Sequence, residues 1–408
     1  MYSAVTGLRN HQTMMDVVGN NIANVNTTGF KKSNAIFQDV LSQTLEGAGA
    51  PVGELGGTNP AQIGLGVRIG AIAQNLSQGA LQRTGRDLDL SIEGDGFFVV
   101  QDQGAELYTR AGAFFVDAAG QLVTADGGMV QGWQADPSGL LQTDRPVGDI
   151  KIPIGEASQP VATTVVNLGG NLSADAALGT QDFTSVTVYD SQGIPIVLDI
   201  TYTKSNTDEW TVTASYGDPP TAVPVTDNIM QFGADGELVL PVDFTANIAA
   251  GAIPGAEAIA LTLGGEEARR ISQYGGNSTM TVINQNGSSS GSLQSLSIGQ
   301  DGVITGSYSN GRVRAMAQLA LATFANPEGL SRVTGTSWTT SANSGLAQIG
   351  AAGGGGRGLL AAGALEMSNV DLAEEFTTLI RSQRGFQANS RVVTASDELL
   401  QEIVNMKR

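Results

Sequence analysis

The chain has 408 residues, 39 of them acidic and 21 lysine or arginine, for a formal charge of −18. That balance repels a phosphate backbone, so no nucleic-acid partner is expected. With no cysteine and a single histidine, His11, the sequence lacks disulfides, thiolate zinc sites, cysteine nucleophiles and histidine clusters, so neither an enzyme nor a metal or cofactor site is expected.

The start of the chain has no charged stretch leading into an apolar core and a small-residue cleavage site, so no cleaved signal peptide is expected. No apolar run approaches the ~20 residues of a membrane-crossing helix, so no membrane insertion is expected either. Over the first 25 residues Met1, Val5, Leu8, Met15, Val18, Ile22 and Val25 recur at spacings of three, four or seven, one stripe of an α-helix. Asn24, Asn26, Thr27, Thr28 and Gly29 supply its stop. His11 falls off the stripe and reads as a surface or inter-helix residue.

The middle of the chain changes character. Only 5% of residues are aromatic and 54 are glycine, a composition that favours many short strands. Alternation at 186–189 and 196–202 supports this. Four turn signals lie between apolar flanks and predict β-hairpins: Asp117 with Gly120, Asp190 with Gly193, Asp235 with Gly236, and Asp301 with Gly302. Stretches rich in glycine, proline and serine predict joints at 146–160, 275–291 and 350–358. Gly353, Gly355 and Gly358 match a dinucleotide fingerprint by letter, but the flanks are wrong and the segment reads as a flexible linker. Asp87 with Asp89, and Glu93 with Asp95, lack calcium-loop spacing and read as solvated strand edges.

At the other end Leu372, Phe376, Leu379, Phe386, Val393, Leu400 and Val404 continue the helical spacing. The pattern predicts a helix over 369–406, ~57 Å long. Ser368 is placed to cap it, with Asp371 completing a capping box and Met367 stapling onto Leu372. Asp371, Glu374 and Glu375 suit the positive end of the dipole, Lys407 and Arg408 the negative end. A stripe this long and narrow needs a helical partner, so the two ends are expected to pair. Gln12, Gln383, Ser390 and Asp397 break the stripes at seam positions, which favours a stripe that also meets neighbouring protomers. The fold class is therefore mixed and mainly β, with long paired N- and C-terminal helices and two or more β-rich domains, one inserted into another.

Several segments also carry a resemblance. Residues 4–8 and 19–31, with Ala23, Asn24, Thr28, Gly29, Phe30 and Lys31, resemble the signature of the axial proteins of the bacterial flagellum, the rod and hook family. Residues 363–372, with Ser368, Asn369, Val370 and Asp371, resemble its C-terminal counterpart, as do 379–389 and 396–400; 88–98 and 108–114 resemble its middle. Residues 186–190, 307–311, 318–322 and 324–330 resemble the longer, hook-building branch rather than the shorter distal rod. The resemblance implies a subunit that self-assembles into a curved tubular hook, a universal joint between rod and filament; a distal-rod or hook–filament junction protein is the alternative. It implies as partners the chain itself, the distal rod protein, the hook cap, the hook–filament junction protein and the flagellar type III export apparatus. The implied location is extracellular, reached without a cleaved signal. The apolar positions Val5, Leu8, Met15, Val18 and Ile22, and Leu372, Phe376, Leu379, Phe386, Val393 and Leu400, become the self-assembly helices. Phe37 and Leu41 resemble a short export-recognition element, and fit the core of a short helix or turn equally well. The expected domains are a helical assembly domain (1–27 and 366–408), connecting segments (28–70 and 345–365), an inner β domain (71–149 and 281–344) and an outer inserted β domain (150–280). A secreted β-rich enzyme or carbohydrate-binding module would need an acidic pair in an aromatic cleft, and Trp133, Trp210 and Trp338 share no motif.

Overall fold

The computed structural model describes residues 2–50, 57, 59–155, 157–240, 244–263 and 271–406. Among these residues two α-helices, α1 (Tyr2–Ala23) and α2 (Leu372–Met406), bracket a chain of short strands. Helix α2 spans 35 residues, about 52 Å at ~1.5 Å per residue. It begins three residues later than the sequence pattern places it. Asp371, not Ser368, is its N-cap: the Asp371 carboxylate accepts from the amides of Ala373 (2.8 Å) and Glu374 (3.3 Å). Ser368 accepts from the amide of Val370, and the Met367 amide donates to the Ala80 carbonyl. Lys407 and Arg408 lie outside the described residues.

The helices pair antiparallel, and part of each apolar stripe enters the pairing face: Leu379, Phe386 and Val393 are half-buried on α2, and Val18 is buried on α1. Ser382 Oγ donates to the His11 carbonyl (2.9 Å) and Asn21 Nδ2 to Glu375 Oε2 (3.1 Å). A Cβ on Gly7 would stand 2.8 Å from Asn389, and one on Gly385 would stand 2.5 Å from the His11 ring. The seam is therefore built from small and polar residues that let the backbones approach closely. Glu375, Ser382 and Asn389 each stand one position before Phe376, Gln383 and Ser390, and one residue is ~100° of helix rotation. Phe376, Gln383 and Ser390 thus stand at the edge of the seam, while Leu379, Phe386 and Val393 fall within ~40° of Glu375 and share its face; Gln12, Gln383, Ser390 and Asp397 all remain exposed. Helix α1 also touches the antiparallel strands Ser33–Asp39 and Val67–Gln74, where Asn10 Nδ2 donates to the Val67 carbonyl (2.7 Å). Between α2 and these strands part of the α1 stripe is covered: Val18 is buried, and Leu8, Met15 and Ile22 are half-buried.

The seam makes a matched pair of substitutions informative. Nothing lies within 4 Å of a Cβ on Gly19, so Gly19→Ala is expected to stabilise by up to ~1 kcal/mol through helix propensity. Gly385→Ala has the same propensity gain but drives a methyl into His11, and overpacking of ~1–3 kcal/mol should win. Helical circular dichroism on thermal unfolding checks both; a Gly385→Ala chain more stable than wild type would mean the seam is not close-packed.

By contacts the chain divides into two units: Met1–Ile152 with Leu296–Thr305 and Ala315–Arg408, and Pro153–Ser295 with Gly306–Arg314. In sequence the second interrupts the first. Within the first unit, strand Phe97–Asp102 pairs on one side with Ala105–Thr109 and on the other with Met129–Gln134. Its alternating side chains build two cores. Phe97, Val99, Tyr108, Phe324 and Trp338 cluster on one face, with Phe97 edge-to-face on Phe324 and Trp338 at 5.8 and 5.5 Å. Phe98 stands edge-on to Phe114 at 5.0 Å on the other. Leu359–Ala362 pairs with Leu90–Glu93, and Ala364–Glu366 with Leu81–Arg83, which carries the chain back to the helices. In the second unit the described residues form a five-stranded and a six-stranded sheet that share one core, including Val166, Leu168, Leu198, Ile200, Trp210 and Leu261.

All four predicted hairpins form. In the turn at Asp190 the carboxylate accepts from the amides of Gln192 (2.9 Å) and Ile194 (2.7 Å), and Gly193 takes φ +80°. The turn at Asp117 repeats this with Ala119, Gln121 and Gly120. Two other expectations fail. Asp89 is not a solvated edge but is 2% exposed, 3.5 Å from Arg86. The glycine run at 350–358 is a folded loop: Arg357 Nε donates to the Ala351 carbonyl (2.9 Å) and the Gly358 amide to the Asp95 carbonyl (2.7 Å).

Candidate functional site

Segments 29–33 and 364–375, more than 330 positions apart in sequence, meet at the base of the helices. Gly29 adopts φ +69°, and a Cβ there would stand 2.5 Å from the Ala111 amide nitrogen, so only glycine fits. Its amide donates to the Glu366 carbonyl (2.8 Å). Phe30 is buried beneath the Arg332 guanidinium, 4.7 Å from the ring. Lys31 is fully buried; its ammonium donates to Glu366 Oε1 and to the Ser77 carbonyl (2.8 Å). Glu366 Oε1 also accepts from the Gly79 amide (2.8 Å), and Glu366 Oε2 stands 3.5 Å from Arg110 Nη1. Burial pulls the Lys31 ammonium and the Arg110 guanidinium below their ordinary values, and the Glu366 charge opposes that pull in both.

A second clamp lies beside the first. The Lys32 amide donates to Asn369 Oδ1 (2.9 Å), and Asn369 Nδ2 donates to the carbonyls of Asn75 (2.8 Å) and Ser77 (3.1 Å). Lys32 Nζ pairs with Glu374 at 2.7 Å. Asn21 exchanges bonds with the Ser33 backbone and reaches Glu375. The arrangement fixes where the two helices leave the β strands. Of the motif residues, Gly29, Phe30, Lys31 and Asn369 enter these clamps and Asp371 caps α2. Ala23 is exposed at the end of α1, Asn24 accepts from Thr27 Oγ1 (3.1 Å), and Thr28, Ser368 and Val370 are half-buried. Sequence reasoning missed Asn21 and Glu366, and gave Glu375 a helix-dipole role without its bond to Asn21. Glu366 had one readable signal, a lone carboxylate between Leu365 and Met367.

Next to the clamps the surface is unusually apolar. On α2, Leu372, Phe376 and Leu400 are exposed, Phe376 by 49%, while Leu379, Phe386 and Val393 are half-buried. Ile380, Val392, Leu399, Ile403 and Val404 extend the exposed set. On α1, Val5 and Tyr2 are exposed, as are Ile36 and Ile72 on the strands that touch it and Leu45, Ile63 and Leu65 in the segment between those strands. Exposed apolar residues in this number are a mark of interaction surfaces. Phe37 and Leu41 lie in no helix: Phe37 is in strand Ser33–Asp39, 38% exposed and edge-on to His11 at 5.8 Å, and Leu41 is 77% exposed. Among the described residues no group of His, Cys, Asp or Glu could hold a metal ion, and no helix is long and apolar enough to cross a membrane.

The comparisons with known proteins follow the same order along the chain. Four family models match: Flagella basal body rod protein over residues 1–31, Flagellar hook protein FlgE/F/G D1 domain over 91–174, Flagellar basal body protein FlaE D2 domain over 162–288, and Flagellar basal body rod FlgEFG protein C-terminal over 361–406. The flagellar hook protein FlgE of Borreliella burgdorferi is 40% identical over 442 residues, covering 100% of this chain and 99% of that one. The FlgE of Treponema pallidum is 39% identical with the same coverage of 100% and 99%. The crystal structure of Helicobacter pylori flagellar hook protein FlgE2 shares the fold, with a TM-score of 0.53 at 15% identity over 70% of this chain and 100% of that one. Kinship that runs the full length of both chains, on a mainly β fold with paired terminal helices, places this chain in the flagellar hook protein family, the structural subunits of the hook.

Proposed function

We propose that the chain polymerises into the curved tube of the hook and serves there as a flexible universal joint that passes torque from rod to filament. The observation that supports this is the row of exposed apolar residues on the paired helices, Leu372, Phe376, Ile380, Leu400 and Val404, which the seam leaves unused and which a second copy would cover. In this reading segments 1–27 and 366–408 are the assembly domain, 28–70 and 345–365 connect, 71–149 and 281–344 form an inner β domain, and 150–280 an outer one. The polymer meets the distal rod protein at one end and the hook–filament junction protein at the other, and grows beneath a hook cap. Electron microscopy of polymer grown from the purified chain tests the proposal. Curved or polymorphic tubes are expected; straight, inextensible rods would favour a distal-rod or junction role instead.

Delivery belongs to the same proposal. The chain would leave the cell through the flagellar type III export apparatus, without a cleaved signal, and act extracellularly. Phe37, 38% exposed, and Leu41 are the residues we assign to recognition by that apparatus. Substitution of exposed side chains costs little stability, within ~0.5 kcal/mol. The double variant Phe37→Ala, Leu41→Ala is expected to lower secretion severalfold with an unchanged melting curve. Normal secretion of that variant would remove the assignment.

A further inference from the structure

Helix α2 carries its charges in blocks. Over residues 376–396 it has three arginines, Arg381, Arg384 and Arg391, and no acid; over 397–406 it has Asp397, Glu398 and Glu402 and no base. All six side chains are exposed, and none has an ion-pair partner among the described residues. The acids at the start of the helix are already engaged: Glu374 with Lys32, Glu375 with Asn21, and Asp371 as the cap. At ~100° per residue the three arginines fall within ~80° of one another, and Glu398 and Glu402 continue the same face.

The seam has a fixed register. Asn21 meets Glu375, the His11 ring lies against Gly385, and Asn389 lies against Gly7, so each step back along α1 is one step forward along α2. In that register Tyr2, where α1 begins, falls opposite Thr394. Residues 395–406 therefore run on past α1 for about 18 Å. Their apolar side chains are open to solvent, from 49% exposed at Leu400 to 82% at Met406, with Leu399, Ile403 and Val404 between. A helical segment this short is marginal in water unless another element covers it. On α1, Arg9 and Asp16 stand opposite the arginine block and offset each other, so the block keeps its positive charge.

We propose that the acidic, apolar overhang of one copy docks on the arginine block of a second copy, with the two α2 helices parallel and displaced along their axis. This deepens the assembly proposal and rests on it. A contact between two different surfaces of the same chain runs head to tail and stays open-ended, as a growing polymer requires. The two blocks are centred roughly 14 positions apart, about 21 Å along the helix, and that is the expected stagger. Copies in register would set arginine against arginine and carboxylate against carboxylate, which disfavours that alignment. Exposed ion pairs add little affinity singly. The apolar overhang supplies the area, against Ile380 and Val392 beside the arginines, 51% and 50% exposed, while the charges select the segment and the stagger.

Charge-swapped full-length chains test the pairing. One carries Arg384→Glu with Arg391→Glu, the other Glu398→Lys with Glu402→Lys. The replaced side chains are exposed, and lysine suits the C-terminal end of a helix dipole, so helical circular dichroism should match wild type. Each variant alone is expected to need about tenfold more protein to form tubes, because its overhang and its block then carry like charge. An equimolar mixture is expected to polymerise within about threefold of the wild-type threshold, since each variant's overhang fits the other's block. Electron cryo-microscopy of the wild-type polymer should show the overhang of one copy on residues 381–391 of a neighbour. An overhang seated elsewhere, variants that polymerise alone as wild type does, or a mixture no better than its parts would each overturn the pairing and leave the assembly proposal standing. If the wild-type chain forms no tubes in any buffer, the assembly proposal fails, and sedimentation equilibrium at low salt still judges the pairing. Association between the two variants that exceeds the self-association of either supports it, and its absence overturns it.

Discussion

A chain that lacks residues 372–408 is expected to stay soluble and folded in its β-rich parts and to form no tubes. Of the described α2 side chains only Glu375 and Ser382 are buried, so the helix adds little to the core of its own protomer. Its loss removes the Asn21–Glu375 and Ser382–His11 bonds, while Asn369 and the Lys31–Glu366 pair remain to hold the strands. What disappears is the apolar row from Leu372 to Val404, 68% exposed at its far end. At ~25 cal/mol per Å² of apolar surface covered, that row is the largest reservoir of association free energy on the helices. Sedimentation and electron microscopy would read assembly, and near-ultraviolet circular dichroism would read the aromatic cores. Tubes of normal diameter from the truncated chain would remove the helices from the assembly mechanism.

The second large effect is expected at Lys31. Lys31→Met leaves Glu366 buried with only the 3.5 Å approach of Arg110 for charge compensation. Removing one partner of a buried pair typically costs ~3–5 kcal/mol, because the other charge is stranded. The double variant Lys31→Met, Glu366→Leu should cost clearly less than the sum of the two single changes, since no stranded carboxylate remains. Urea unfolding of the four chains closes the cycle. A Lys31→Met chain within ~0.5 kcal/mol of wild type would show that the pair is not what fixes this junction.

Both helices and all four hairpins could be read from the sequence, since each rests on a local signal: a period of three and four, or aspartate and glycine at set offsets in a turn. The seam could not. Gly7, Ser382, Gly385 and Asn389 have no hydrophobic signature, so the period points to the apolar stripe alone, of which Leu379, Phe386 and Val393 are half-buried and Leu372, Phe376 and Leu400 stay exposed. The start of α2 was misplaced because Ser368 and Asp371 are equally good caps by composition. Asn369 spends its side chain on the Lys32 amide and the Asn75 carbonyl, outside the helix. Strands Ser33–Asp39 and Ser42–Glu46 passed for connecting chain, since their exposed apolar residues blur the alternation. The Lys31–Glu366 pair spans 335 positions, a separation at which no local pattern speaks, and Asp89 is buried for tertiary reasons of the same kind.

The seam between the termini has a consequence for the order of events. Its bonds join residues 354 and 371 positions apart, the most costly kind of contact to form early, because loop closure must precede any gain. The turns and hairpins of the β units close over a few residues and need not wait. On a chain that emerges from one end, α1 comes first and its partner last. A chain stopped anywhere before α2 can complete its β units but cannot present the paired helices. Pairing of the termini therefore reports that the chain has been made through α2, and under the assembly proposal a subunit cut short would lack the paired helices that a second copy covers.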